Sequence, residues 1–86
     1  MSLILTRSLT KCLIDTIIAI EFNDDLINNE DMAVGLLEQI SAELQTLSEV
    51  DKNTLINEIA HLSRKYPKDV SLFVKNLPES IGIADA

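Results

Sequence analysis

Residues 23–31 place Asn23, Asp24, Asp25, Asn28, Asn29, Glu30 and Asp31 close together, seven oxygen-bearing side chains in nine positions. Such a run raises calcium chemistry first. A calcium loop of the EF-hand kind needs ligands at alternating places, a Gly at its sixth position and a closing bidentate Glu. This run has no Gly, and Leu26 and Ile27 interrupt the ligands. The residues read instead as turn and cap formers, and as a contact surface. His61 is the only histidine, with Asn57 and Lys65 four residues away on either side. Neither neighbour ligates a metal alongside it, so His61 is expected on the solvated face of its helix. Cys12 is the only cysteine. It reads as a small apolar filler and gives no sign of an oxidising compartment.

Paired carboxylates doing acid–base work need a pocket that shifts their pKa. The chain has no Gly-rich phosphate loop, no CxxC pair and no nucleophile elbow. No catalytic, cofactor-binding or metal site is expected, and the chain reads as a non-enzyme.

The acids have a second property. From Cys12 to Asp51 there are ten Asp or Glu residues and no Lys or Arg. Lys11 and Lys52 bracket that stretch. A segment without counter-charges repels itself and projects a negative field that favours a basic partner. With a net charge of −7 and a pI near 4.4, the chain is a poor ligand for nucleic acid or an anionic membrane. A DNA-reading helix-turn-helix fails for the same reason. Arg64, Lys65 and Lys68 form one small basic cluster, placed to suit a helix C-terminus.

Those acids must be positioned by helices. The length, 86 residues, is that of one domain, 1–86, with one modest core. Apolar residues make up 47%, with one Tyr, two Phe and no Trp, so the core should be aliphatic. Arg7 and Lys11 before an apolar run faintly imitate a signal peptide, but Asp15 interrupts the run and no small-residue cleavage site follows. The expected location is cytoplasmic. A first helix is expected over 2–22, with Leu5, Leu9, Cys12, Leu13, Ile17 and Ile20 at helical spacing. Ile4, Ile14, Ile18 and Phe22 fall on its other faces. A helix apolar nearly all round sits centrally or keeps a second face for a partner.

A turn over 23–29 leads to a second helix, about 30–47, with a stripe of Ala33, Leu36, Leu37, Ile40, Leu44 and Leu47. Its opposite face carries Asp31, Gly35, Glu38, Ala42 and Gln45. Ser48 and Asp51 resemble a capping box for a third helix, which should end at Tyr66 before Pro67. Asp69 is expected to cap a fourth helix, 70–76, stopped by Pro78, with Ile81 or Ile83 tucked against the core. The fold class is therefore all-α, a small antiparallel bundle of about four helices with short loops.

Four stretches carry a resemblance: Glu21-Phe22-Asn23-Asp24-Asp25, the run Met32 to Glu38, ISAELQTLSEV from Ile40 to Val50, and Phe73 to Ile83. Together they resemble small acidic all-helical proteins encoded beside bacterial polymorphic toxins, the immunity proteins of contact-dependent growth inhibition and related systems. The resemblance implies a protein that neutralises a cognate basic toxin domain, commonly a nuclease, by covering its phosphate-binding cleft with carboxylates. It carries over no individual binding residue. By charge and position, the partner-binding candidates are Glu21, Asp24, Asp25, Glu30, Asp31 and Glu38. Phe22, Ile27 and Met32 lie among them, either as interface anchors or, the preferred assignment, as core. The alternative function is a homodimeric structural or regulatory module built on the surplus apolar face of the first helix.

Overall fold

Helix α1 spans Leu3–Phe22, α2 Glu30–Leu44, α3 Glu49–Ser63 and α4 Lys68–Ser80 in the computed structural model, which describes residues 2–22 and 30–84, Glu30 without its side chain. Among the described residues there is no strand, and the helices pack as a small all-α bundle. The turn expected over 23–29 lies outside the described residues. No described helix is long and apolar enough to cross a membrane.

Each helix end has a local cause. Ser2 Oγ accepts the Leu5 N–H at 3.1 Å and starts α1. Ser48 Oγ accepts the Asp51 N–H at 3.1 Å, which is the expected cap of α3. Helix α2 stops at Leu44, three residues before its expected end. There the ladder tightens, with Thr46 donating to Glu43 and Leu47 to Leu44. Helix α3 also stops early, at Ser63. Pro67 forces Tyr66 away from helical geometry, and a tightened turn at Lys65 and Tyr66 absorbs the change.

Helix α4 departs most from expectation. Pro67 begins it with no side-chain cap, so Asp69 is not the cap but an acid favourable to the first-turn dipole. Pro78 does not stop it. The helix runs through Pro78 to Ser80 and ends at Gly82 in a left-handed conformation, φ +77°. Gly82 donates to Glu79 at 3.1 Å and Ile83 to Pro78 at 3.0 Å, the paired bonds of a Schellman motif. Ile81 and Ile83 are thereby both buried, and burial of such side chains, worth about 1.5–3 kcal/mol each, offsets the bond that Pro78 cannot make.

The core is aliphatic, as composition requires. Its buried apolar members are Ile14, Ile17 and Ile20 of α1, Ile59 and Leu62 of α3, Val74 and Leu77 of α4, then Ile81 and Ile83. In α1 the buried face is Thr10, Ile14, Ile17 and Ile20, not the one containing Leu5, Leu9 and Cys12, which face solvent. Both faces are apolar enough to be buried, and packing against α3 and α4 selects one. Two cross-helix bonds fix the direction of α1 relative to α3. Arg7 pairs with Glu58 and Tyr66 bonds Asp15, each across 51 residues, so the two helices run parallel within the bundle.

Candidate functional site

The acidic face is built by the last turn of α1 and the outer side of α2. Glu21, Asp31 and Glu38 are all exposed. Asp31 and Glu38 are seven residues apart on α2, two turns and about 10 Å along one face. Glu21 lines a cleft of about 230 Å³ together with Leu37, the neighbour of Glu38 in α2, and with Phe73 and Ile81 from the α4 side. The fold therefore brings Glu21 beside the middle of α2. Asp24 and Asp25 lie outside the described residues. Glu30 opens α2, and its side chain is likewise not described.

The ion pairs of the described residues leave this face alone. Arg7 meets Glu58 at 3.1 Å, Lys11 meets Asp15 at 2.7 Å, and Lys52 lies 3.8 Å from Glu49. Among the described residues no cation pairs with Glu21, Asp31 or Glu38. The unpaired acids sit around exposed apolar side chains. Phe22 is 58% exposed and Met32 53%. Their assignment to the core is therefore corrected. Phe22 is held on the surface by an edge contact with Phe73, ring centres 5.2 Å apart. Ile27 lies outside the described residues.

One end of α2 is pinned. Ser41 Oγ donates to the Ile81 carbonyl at 2.7 Å, and Gln45 Nε2 donates to the Gly82 carbonyl. These bonds satisfy carbonyls at the end of α4 and attach α2 to it. Gln45 is exposed, as its place on the row of Asp31 and Glu38 implies, and is in addition a structural contact. Sequence spacing could not reveal it, because the partner carbonyls lie about forty positions away in the chain. Gly35 lies open, with nothing within 4 Å of where a Cβ would stand, so it is not a site of close backbone approach.

Asp15 and Glu58, by contrast, are engaged in bonds within the fold. Asp15 accepts from Lys11 and, at 2.6 Å, from the Tyr66 hydroxyl, which together hold its carboxyl below the usual range. Burial, and then the bond to Asp15, pushes the Tyr66 phenol up. The Lys11 ammonium is raised, chiefly by its bond to Asp15, and also lies 5.4 Å from the Tyr66 ring centre. The Lys11–Asp15 part was legible as an i, i+4 pair; Tyr66 was not. His61 is half-buried, contrary to its expected full exposure. No group of three or more metal-ligating side chains occurs among the described residues, and none of their buried side-chain nitrogens or oxygens lacks a partner.

Comparison with protein-family models, with curated proteins and with solved structures finds no match.

Proposed function

We propose that this chain is a non-enzymatic inhibitor, an immunity protein that binds a cognate basic toxin domain, a nuclease, and blocks its active site. The observation that carries this reading is the exposed set Glu21, Asp31 and Glu38, without counter-ions among the described residues and interleaved with exposed Phe22 and Met32. Asp24, Asp25 and Glu30 extend the same acidic run.

Each feature has a role in such binding. Carboxylates steer a basic surface and set its orientation. Charge alone does not hold a complex, because rim ion pairs contribute only about 0–1 kcal/mol each. Phe22 and Met32 supply the desolvated anchors that affinity needs. The cleft beside Glu21 suits the side chain of a Lys or Arg. Its walls, Leu37, Phe73 and Ile81, cover the apolar stem, and Glu21 meets the charged head. A nuclease active site that cradles phosphates offers such residues.

Co-expression with the product of the neighbouring gene tests the reading. The expected outcome is a stable complex whose nuclease activity is fully suppressed at one inhibitor per toxin. A neighbouring product that neither binds nor loses activity would rule this function out.

A further inference from the structure

The outward side of α1 carries Leu5, Leu9, Cys12, Thr16 and Ala19, spaced 4, 3, 4 and 3 residues apart. All five are exposed, Leu5 to 47% and Leu9 to 54%, and none is charged. A 4-3-4-3 repeat is the seam along which two helices pack side by side. At Leu9 the face borders an apolar groove that Leu44, Leu47 and Leu55 also line. Its one hydroxyl is already satisfied, since Thr16 Oγ1 donates to the Cys12 carbonyl at 2.7 Å. Covering the seam therefore strands no polar group.

The seam is complementary to itself. Cys12 is its midpoint. A twofold axis through Cys12, with the helices antiparallel, sets Leu5 of one copy against Ala19 of the other, and Leu9 against Thr16. Large side chains then meet small ones along its whole length, as an isologous interface requires. The flanking charges agree. An antiparallel twofold brings like flanks together, so Lys11 of one copy comes within a turn of Asp15 of the other. The two already form a 2.7 Å pair within one chain, and the dimer places both lysines at the twofold, bracketed by the two aspartates, in a net-neutral cluster. A parallel pairing would instead set this flank against the side of α1 that packs on α2.

We infer that two copies of this chain associate through α1, antiparallel about Cys12. The surface is separate from Glu21, Asp31 and Glu38, so the dimer stands independently of the proposed inhibition and leaves that face open. From Leu5 to Ala19 the seam is about 21 Å long at 1.5 Å per residue. That is short for a stable dimer, since specific interfaces bury about 1,200–2,000 Å². The association is accordingly weak and concentration-dependent. Because each copy carries a net charge of −7, added salt strengthens it. Binding of a basic partner responds to salt in the opposite sense.

Sedimentation equilibrium from about 10 μM to 1 mM, with register-specific cross-linking, tests this. The mass is expected to rise from 9.5 kDa towards twice that value, and to rise further with salt. Leu9→Glu, at an exposed position that leaves the fold intact, should weaken association at least tenfold. In a Cys12→Ser background, mild oxidation should link the double variant Leu5→Cys/Ala19→Cys efficiently and Leu5→Cys alone poorly. A monomer at every concentration would overturn the inference. So would a dimer indifferent to Leu9→Glu, or cross-linking of Leu5→Cys alone as efficient as that of the pair.

Discussion

Helices α1, α3 and α4 contain every buried apolar residue of the four helices, whereas α2 contains none. Leu37, Ile40 and Leu44 of α2 only rest half-buried against the core that the others form. The charge follows the same division. Residues 30–44 hold four acids and no Lys or Arg, while Lys52, Arg64, Lys65, Lys68 and Lys75 all lie in the second half. The element that carries the candidate site is thus the least packed and least charge-balanced. Loosely held elements open first and adapt most readily to a partner. Asp31 and Glu38 thus lie on a helix that contributes no fully buried apolar residue, and only Glu21 shares its helix with the core.

Core truncation should separate the regions most strongly. Ile59→Ala, at a fully buried position, should cost about 2–5 kcal/mol and lower the urea midpoint of the whole bundle. Ile40→Ala on half-buried α2 should cost about 1–2 kcal/mol at most. Equal losses would erase the distinction.

The regions meet at Gly82, whose carbonyl accepts from Gln45. A Cβ there would stand 2.9 Å from Gln45 Nε2, on a backbone at φ +77° that other residues rarely adopt. Gly82→Ala should therefore cost about 1–2 kcal/mol and release α2. Hydrogen exchange should show faster opening across 33–44, with the buried turns of α1 and α3 still protected. Retained protection in α2 would mean that the Gln45 tether is dispensable.

Gly35→Ala should act in the opposite direction. The new methyl meets nothing and removes a helix-interior glycine, so α2 should gain about 0.5–1 kcal/mol, read as slower exchange over the same residues. Unchanged or faster exchange would show that backbone propensity does not limit α2.

The smallest effect belongs to Asp15. Its carboxyl is held low by the Lys11 bond first and the Tyr66 bond second. A depressed carboxylate contributes stability that is present above its unfolded value, near 3.8, and lost as pH falls through the folded value. Its side chain is 48% exposed, so the contribution stays below about 1 kcal/mol. Asp15→Asn should narrow the stability difference between pH 6 and pH 2.5 by that amount. Tyr66, raised by burial and by Asp15, runs the other way: its contribution holds below its ordinary value near 10 and fades as pH climbs through the raised one. Asp15→Asn should blunt that alkaline loss as well.

The sequence makes some of this legible and hides the rest for physical reasons. The helices of α3 and α4 show one apolar stripe each, and Leu55, Ile59, Leu62 and Tyr66, or Val70, Phe73, Val74 and Leu77, do face inward to different degrees. Helix α1 has two competing apolar faces, so its pattern does not decide between them; tertiary packing does. Pro78 is a strong local stop signal, and the burial of Ile81 and Ile83 beyond it overrides the signal. The acidic candidates were visible because charge imbalance needs no geometry. The Ser41 and Gln45 tethers and the Tyr66–Asp15 bond were not, since they join positions 40, 37 and 51 residues apart.

The association rate between this chain and the basic toxin domain proposed as its partner, measured at low and high salt, tests the central claim most directly. The comparison is with a variant carrying Glu21→Gln, Asp31→Asn and Glu38→Gln. Those exposed acids hold no ion pair among the described residues, so the variant should fold as before. If the acidic face steers binding, the variant should associate about tenfold more slowly at low salt, with a flatter salt dependence. An unchanged rate and an unchanged salt slope would contradict the account and move the interaction to an apolar surface.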